Sequence, residues 1–557
     1  MAFSHQKYCS PETVDLPDRN WPNRRIEAHP IWCSVDLRDG NQALAEPMGP
    51  SKKRALLKLL LKAGFQEIEL GFPSASQTDF DFIRWVIENG VLPASVTPQV
   101  ITQARKTLIS RTFESLKGQR RAIVHLYNST SELQRRIVFR KSRQEIIDLA
   151  VQGTGWVKQE AAKYPELEVV YQYSPESFTG TELDYALEIC EAVIETWSPS
   201  VERKMVLNLP STVEMTTPNE FADRIEWFGR HLKRRSEVIL SVHAHNDRGT
   251  GVATAELSQL AGAERIEGTL LGNGERSGNV DLLTLAMNLY SQGIDPGLDL
   301  SIMPEIVRVI EHCTGIQVHP RHPWAGELVF TAFSGSHQDA IHKGMKAQQA
   351  EPGGQWEVPY LPIDPTDLGR QYEEVIRINS QSGKGGVAHV LERDHGYTVP
   401  KCFAVDLSHA VQQVTDETGQ ELASEAIARV FRSRYFDTST PVEIRAVQVR
   451  PGATEQERVV EAEVRINGKV YPLCGKGGGV IEAFAQGLHV IRPGNWDITD
   501  YAEHARGSGA RAEAVAYVAV STPGDDRLWF GAGADRDVVL ASFRAIIIAV
   551  ERQFHGH

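Results

Sequence analysis

Residues 243–247 read His-Ala-His-Asn-Asp, so two histidines with one residue between them lie at the end of a strand-like run. On a β-strand, residues i and i+2 project to the same face, so His243 and His245 point together while Ala244 points away. Two neutral imidazoles placed in this way can bind one divalent metal ion. The alternative is a pair of histidines that are hydrogen-bonded near a strand end and bind no metal.

Two further candidate ligands, Asp39 and Asn279, come from distant parts of the chain. In a closed eight-stranded barrel the first strand lies beside the eighth, and the eighth beside the seventh, so these side chains would adjoin the histidines. A set of carboxylate, imidazole and amide ligands without thiolate suits Mg²⁺, Mn²⁺ or catalytic Zn²⁺ better than a structural zinc ion. Asp36 is the competing carboxylate, but it precedes the turn, and this position favours a role in orienting Arg38.

Arg38 adjoins the candidate ligand Asp39 within the loop sequence 36–42, DLRDGNQ. A guanidinium beside a metal ion can stabilise an oxyanion that develops during a reaction. The alternative role is a salt bridge to Asp36 or Glu69, with no part in chemistry.

Between residues 31 and 281, eight short apolar runs alternate with stretches of helical patterning. This alternation predicts an α/β fold with a parallel sheet, and eight strands over about 250 residues are typical of a (β/α)8 TIM barrel. An open doubly wound sheet is the structural alternative. The predicted strands are 31–36, 67–71, 96–101, 122–127, 169–173, 205–209, 238–243 and 266–271.

Polar residues fall at the end of nearly every predicted strand, which favours the barrel because barrel enzymes build their sites from the loops at the C-terminal strand ends. Besides the residues above, they are Glu69, Gln99, His125, Tyr173, Glu176, Asn208, Thr212 and Asn273.

We predict four parts: residues 1–30 as an N-terminal extension, 31–330 as the barrel, 331–430 as a linker region with helical patterning at 407–430, and 431–557 as a C-terminal α+β domain. The last part contains an internal repeat. Each half has a strand-like run (459–466 or 514–520), then a Gly-x-Gly sequence predicted to form a turn, then a helical run. Such tandem units indicate a pseudo-symmetric module that senses a ligand or dimerises. The glycines are Gly475, Gly477, Gly531 and Gly533.

The composition excludes some classes of function. The formal net charge is −13, and without a sustained basic tract this disfavours binding to nucleic acid. No apolar run approaches the ~20 residues of a membrane helix, and the N-terminus lacks a secretory signal. The six cysteines are far apart and form no CxxC pair, so we expect a reduced, cytoplasmic protein.

Four sequences in the barrel resemble those of the 2-isopropylmalate synthase family, which catalyses a Claisen condensation in leucine biosynthesis. They are 34–42 (SVDLRDGNQ), 71–80 (GFPSASQTDF), 243–247 (HAHND) and 272–280 (GNGERSGNV). The resemblance continues through 334–339 (SGSHQD), 356–360 (WEVPY) and the repeated module to the C-terminus. The barrel sequences alone are shared with homocitrate and citramalate synthases and with metal-dependent lyases.

The resemblance implies a role for each matching residue. A divalent metal, Mg²⁺ first with Mn²⁺ or Zn²⁺ as alternatives, would be held by Asp39, His243, His245 and Asn279. Arg38 would polarise the ketone oxygen of a 2-oxo acid whose carboxylate binds Thr212, and His125 is assigned to the same substrate pocket. Glu176, His337 and Tyr360 match positions implicated in proton transfer, and His337 is our preferred base.

The implied reaction joins acetyl-CoA to 3-methyl-2-oxobutanoate and gives 2-isopropylmalate and CoA. The resemblance also implies a homodimer and a C-terminal domain that binds leucine and inhibits the enzyme, with the four repeat glycines as the candidate leucine site. Because residues 475–480 read GKGGGV rather than the Gly-x-Gly-Asn-Gly-Pro frequent in relatives, a purely dimerising module is the alternative. For the whole chain the alternatives are a homocitrate or citramalate synthase and a non-catalytic leucine sensor.

Overall fold

The computed structural model divides into two compact units, Met1–Val329 with Ile363–Tyr372, and Phe330–Pro362 with Glu373–His557. Within the described residues, no helix combines the length and the apolar character that are needed to cross a bilayer. The structure describes residues 4–8, 11, 13–350, 353–370, 384–418, 422, 424–437, 441–454, 456–507, 509, 512–525 and 527–555.

The first unit contains a closed barrel of eight parallel strands in sequential order, in which β1 pairs with both β2 and β8. All eight predicted strands are confirmed, and closure excludes the open doubly wound sheet. The strands are β1 (Ile31–Ser34), β2 (Glu67–Gly71), β3 (Thr97–Gln103), β4 (Arg121–Ser129), β5 (Glu168–Glu176), β6 (Met205–Ser211), β7 (Val238–Ala244) and β8 (Arg265–Gly268).

Helices follow the strands and cover the barrel with their apolar faces. The first helix buries Leu56, Leu57 and Leu60, and because Leu60 follows the other two by four and three residues, all lie on one side of the helix. The fourth begins with a capping box in which Ser142 and Glu145 satisfy each other's free amides. The helices are α1 (Pro50–Lys62), α2 (Gln77–Glu88), α3 (Lys106–Ser115), α4 (Arg143–Ala161), α5 (Leu183–Trp197), α6 (Pro218–His231), α7 (Gly251–Leu260), α8 (Leu282–Tyr290) and α9 (Met303–Thr314).

The described part of the predicted N-terminal extension packs on α6. Trp21 is buried, and its indole N–H donates to Asp223 over 2.7 Å. The backbone amides of Asn20 and Trp21 both donate to the Glu226 carboxylate. The extension therefore belongs to the same compact unit as the barrel.

The second unit combines the helices of the linker region with two antiparallel three-stranded sheets, ordered β11-β10-β9 and β12-β13-β14. Its helices are α10 (Gly335–Ala350), α11 (Lys384–His395), α12 (Lys401–Thr418), α13 (Ser424–Tyr435), α14 (Val480–Ile491) and α15 (Val538–His555). Its strands are β9 (Val442–Pro451), β10 (Arg458–Ile466), β11 (Lys469–Gly477), β12 (Asp497–Arg506), β13 (Glu513–Ser521) and β14 (Leu528–Asp535).

The internal repeat is confirmed, since each half consists of three strands followed by one helix. The two halves share a core in which Phe484 of α14 stacks on Phe543 of α15, with ring centroids 3.8 Å apart. The predicted helical stretch at 407–430 is formed by two helices, α12 and α13.

The prediction that the Gly-x-Gly sequences form turns is wrong. Gly475 and Gly477 lie in β11, and Gly531 and Gly533 lie in β14. A Cβ at Gly475 would collide with the Ala483 carbonyl of α14, and one at Gly533 would collide with a carbonyl of α15. The glycines allow each helix to pack directly on its strand, which is the reason for their spacing.

Candidate active site

The C-terminal ends of the barrel strands open into a cavity of about 680 Å³. Eight of the side chains singled out from the sequence line this cavity, although they come from five different strand ends. They are Arg38, Asp39, His125, Glu176, Asn208, Thr212, His243 and His245.

Asp39, His243 and His245 are buried together on one side of the cavity, with potential ligand atoms all within 4.8 Å of one another. Asp39 Oδ2 lies 3.3 Å from His243 Nε2 and 3.7 Å from His245 Nε2. As the i, i+2 spacing predicted, the two imidazoles face the same way, and their ring centroids are 5.2 Å apart.

Three buried polar atoms in and beside this cluster lack hydrogen-bond partners among the described residues. They are Asp39 Oδ2, His245 Nδ1 and Asn279 Oδ1. Asn279 pairs with His245 through the backbone, while its side-chain nitrogen donates to the Asn273 carbonyl, which leaves the amide oxygen free. Buried polar atoms are nearly always satisfied in proteins, so the two unpaired oxygens beside the histidine pair fit a divalent cation. The four residues named from the sequence form a suitable donor set.

Charges around the histidine pair act on the two rings in opposite directions. Burial alone would lower the pKa of His243, but its contacts with Asp39 and Glu267 outweigh burial and raise that pKa to about 9. Burial and the neighbouring His243 lower the pKa of His245 to about 4. Burial disfavours ionisation of Asp39, yet the Arg38 guanidinium holds the pKa of that carboxyl well below its usual range. The site is thus a buried anionic group beside two imidazoles.

Arg38 is held by two carboxylates. Its Nη1 lies 2.7 Å from Asp39 Oδ1, and its Nε is paired with Glu69. The expectation that Asp36 orients Arg38 is wrong: Asp36 accepts hydrogen bonds from Ser34 Oγ and from the Leu270 amide. Asp36 therefore connects β1 to the segment after β8, and Glu69 is the residue that orients the guanidinium.

Three other predicted residues line the cavity and differ in how many of their polar atoms are already hydrogen-bonded. Thr212 Oγ1 accepts from the Ser177 amide over 2.9 Å, so its own proton is available for a ligand. The Glu176 carboxylate accepts from Ser129 through Oε2, and Oε1 has no partner within the described part of the chain. His125 is bonded at both ring nitrogens, to Glu69 and to Ser174, so it contributes the wall of the pocket.

His337 and Tyr360 belong to the second unit, and their rings stack with centroids 3.9 Å apart. Tyr173, named from the sequence as a polar strand end, is fully buried and donates to Asn128. It lies outside the cavity lining because alternation along β5 turns it to the other face of the strand.

Sequence reasoning missed Glu267, Ser174, Tyr127, Gln103 and Arg276. All but Glu267 line the cavity, and Glu267 accepts a hydrogen bond from His243 beneath it. A signal was present for Glu267, because β8 reads Arg-Ile-Glu-Gly, with two charges on one face of a buried strand. Burial opposes its ionisation, but Arg265 and the bond to His243 hold the pKa of Glu267 well below its usual range.

Models of three protein families match consecutive parts of the chain. The model described as HMGL-like matches residues 29–310, which contain the barrel and the site. Residues 327–392 match the one described as alpha-isopropylmalate synthase, post-catalytic domain-like. Residues 421–554 match the LeuA allosteric (dimerisation) domain. Fold and site thus define an HMGL-like barrel protein with an appended allosteric domain.

Comparison with full-length relatives identifies one family within this class. The chain is 54% identical over 551 residues to the 2-isopropylmalate synthase of Rhodospirillum rubrum, covering 99% of both chains. It is 52% identical to that of Pseudomonas syringae pv. tomato, covering 98% of this chain and 97% of the relative. It is 50% identical to that of Acetoanaerobium sticklandii, covering 99% and 97%. The chain belongs to the 2-isopropylmalate synthase family.

Proposed function

We propose that this protein condenses acetyl-CoA with 3-methyl-2-oxobutanoate to give 2-isopropylmalate and CoA. The observation that carries the proposal is the buried group of Asp39, His243 and His245 beside Arg38, at the mouth of the barrel of a chain in this family. This group can hold a divalent cation and, next to it, stabilise negative charge on a ketone oxygen.

Asp39, His243, His245 and Asn279 would hold the cation, with Mg²⁺ as the first candidate and Mn²⁺ or Zn²⁺ as alternatives. Once bound, such an ion supplies a Lewis acid that makes the ketone carbon electrophilic. Arg38, fixed between Asp39 and Glu69, directs its remaining N–H groups toward the ketone oxygen, where negative charge develops during attack. The Thr212 hydroxyl, whose oxygen is already bonded to the Ser177 amide, donates to the carboxylate of the 2-oxo acid.

The cavity wall suits a branched apolar side chain. Phe72, Ile101, Tyr127 and Pro210 contribute apolar surface to it. A synthase for 2-oxoglutarate would need a cation for the second carboxylate. Among the described residues of the lining, both arginines are paired, Arg38 as above and Arg276 with Asp247 over 2.6 Å. The charge of the pocket therefore favours 3-methyl-2-oxobutanoate over a dicarboxylate.

The chemistry needs a base that removes a proton from the methyl group of acetyl-CoA. We assign this step to His337, since histidine is the side chain that most often serves as a general base, and Tyr360 is stacked on its ring. The resulting enolate attacks the ketone carbon, Glu176 assists proton transfer through its free Oε1, and hydrolysis of the thioester releases CoA.

We further propose that the protein works as a homodimer in the cytoplasm and that leucine inhibits it through the module at 431–557. The match to an allosteric (dimerisation) domain supports dimerisation and control. Five of the cysteines, at positions 33, 190, 313, 402 and 474, are free thiols, which is typical of a reducing compartment.

The reaction is tested by measuring thiol release from acetyl-CoA with a panel of 2-oxo acids. We expect turnover with 3-methyl-2-oxobutanoate to exceed that with pyruvate and 2-oxoglutarate. One or two methyl groups contribute only ~1–3 kcal/mol in an apolar pocket, so slower turnover of close analogues is expected. A preference for 2-oxoglutarate or pyruvate would instead identify a homocitrate or citramalate synthase.

A further inference from the structure

The side chain of Glu267 lies inside the barrel, fully buried, beneath the candidate metal ligands. Its carboxylate accepts five hydrogen bonds from side chains on five strands. Oε1 accepts from Gln99, Gln172 and Arg265 over 2.7 to 3.0 Å. Oε2 accepts from Asn208 over 3.2 Å and from His243 Nδ1 over 3.0 Å. These five hydrogen bonds hold the Glu267 carboxylate in one position.

The bond to His243 determines which ring nitrogen carries the proton. Because the Glu267 carboxylate is a pure acceptor, Nδ1 must donate, and the neutral ring then has its free lone pair on Nε2. His243 Nε2 is the nitrogen that faces Asp39 over 3.3 Å. The carboxylate thus prepares the ring both in orientation and in tautomer for a cation between His243 and Asp39.

The same network extends to the other side of the site. The amide nitrogen of Gln99 donates to Glu267 and to Glu69, over 3.0 Å in each case. Glu69 in turn is paired with Arg38. One buried glutamine therefore joins the carboxylate that orients His243 to the carboxylate that orients Arg38.

We propose that Glu267 is a positioning residue that sets the affinity of the site for a divalent cation by fixing the tautomer and orientation of His243. This inference rests on the metal site of the proposed function. It assigns to Glu267 no contact with substrate, and the effect of Glu267 on the cation is transmitted through His243.

Glu267→Gln tests the proposal with little change in volume. The introduced amide nitrogen replaces either Oε1, which faces three donors, or Oε2, which faces only two, His243 and Asn208. We expect it in the place of Oε2, where fewer donors oppose it. There it donates to His243 Nδ1, and the ring proton moves to Nε2. The lone pair that faces Asp39 is then lost. We expect Mn²⁺ affinity, measured by isothermal titration calorimetry on protein shown to be folded by circular dichroism, to fall about 10- to 100-fold.

Glu67→Gln is the matched control, because Glu67 pairs with the same buried Arg265 over 2.6 Å and lies on another strand. It removes one carboxylate from that arginine without changing the partner of His243. We expect its Mn²⁺ affinity to equal that of the wild type. We also expect excess Mn²⁺ to restore turnover in Glu267→Gln, which a general loss of packing would not allow.

Equal Mn²⁺ affinity in the wild type and Glu267→Gln, or equal weakening in both variants, would overturn the role of Glu267 and leave the metal site standing. A wild type that binds no Mn²⁺ would overturn the metal site itself. If Glu267→Gln does not fold, the wild-type crystal structure with Mn²⁺ decides by anomalous scattering. Ligation through His243 Nε2 with Glu267 on Nδ1 supports the proposal, and ligation through Nδ1 or by Glu267 overturns it.

Discussion

At the scale of single residues, Arg38 is held on two sides by Asp39 and Glu69, so its guanidinium is fixed before any ligand binds. A lysine keeps the charge but cannot satisfy both carboxylates in one plane. We expect Arg38→Lys to lower kcat about 100-fold with a much smaller change in KM, because the lost interaction strengthens as charge develops. Steady-state kinetics of thiol release measure this. A change in KM alone would make Arg38 a ground-state binding residue.

The candidate metal ligands were easier to predict than the residues that orient them. Asp39, His243, His245 and Asn279 lie at or after strand ends, where the order of the strands brings them together. Glu267 lies within a short strand, and the role of its carboxylate depends on donors from five strands that meet only in the folded barrel. Long-range contacts of this kind leave no local pattern in the sequence.

At the scale of elements, the loop between β2 and α2 is fixed by a buried ion pair. Lys53 Nζ on α1 lies 2.6 Å from Asp79 Oδ1, and Asp79 Oδ2 accepts from the amide of Phe72 in the cavity wall. Asp79→Ala leaves a buried ammonium without a counterion, which costs about 3–5 kcal/mol. We expect calorimetry to show a lower melting temperature for the barrel. Lys53→Met with Asp79→Leu should recover most of the loss, and no recovery would contradict this account.

The glycine-containing strands of the second unit allow a similar test. At Gly533 a Cβ would collide with α15, whereas at Gly479, just before α14, no atom of the described residues lies within 4 Å of a Cβ. We expect Gly533→Ala to destabilise the second unit by about 1–3 kcal/mol through overpacking, and Gly479→Ala to have little effect. Thermal unfolding of both variants measures this. Equal stability would mean that α15 does not pack on β14 as described.

Strands and helices were largely predictable, because strands of a parallel barrel are buried on both faces and appear as short apolar runs. The glycines of β11 and β14 were misinterpreted for a physical reason. Glycine serves both in turns and where a helix backbone approaches a strand, and the sequence does not distinguish the two uses.

At the scale of the whole molecule, the barrel site and the repeated module belong to different compact units. If leucine binds the module, it does not occupy the place of the 2-oxo acid in the barrel. We therefore expect leucine to lower the maximal rate without competing with 3-methyl-2-oxobutanoate, and to give heat of binding in calorimetry on the full chain. Neither heat nor inhibition at millimolar leucine would leave the module with dimerisation alone.

Metal dependence at the barrel mouth is the central claim, and His243→Ala tests it most directly. His243 provides one of the five hydrogen bonds to Glu267, and the other four remain in the variant, so it should fold, as circular dichroism can show. We predict that the wild type loses thiol release on chelation and regains it when Mg²⁺ or Mn²⁺ is restored, while His243→Ala stays inactive with either ion. Full activity of folded, metal-free His243→Ala would contradict the account.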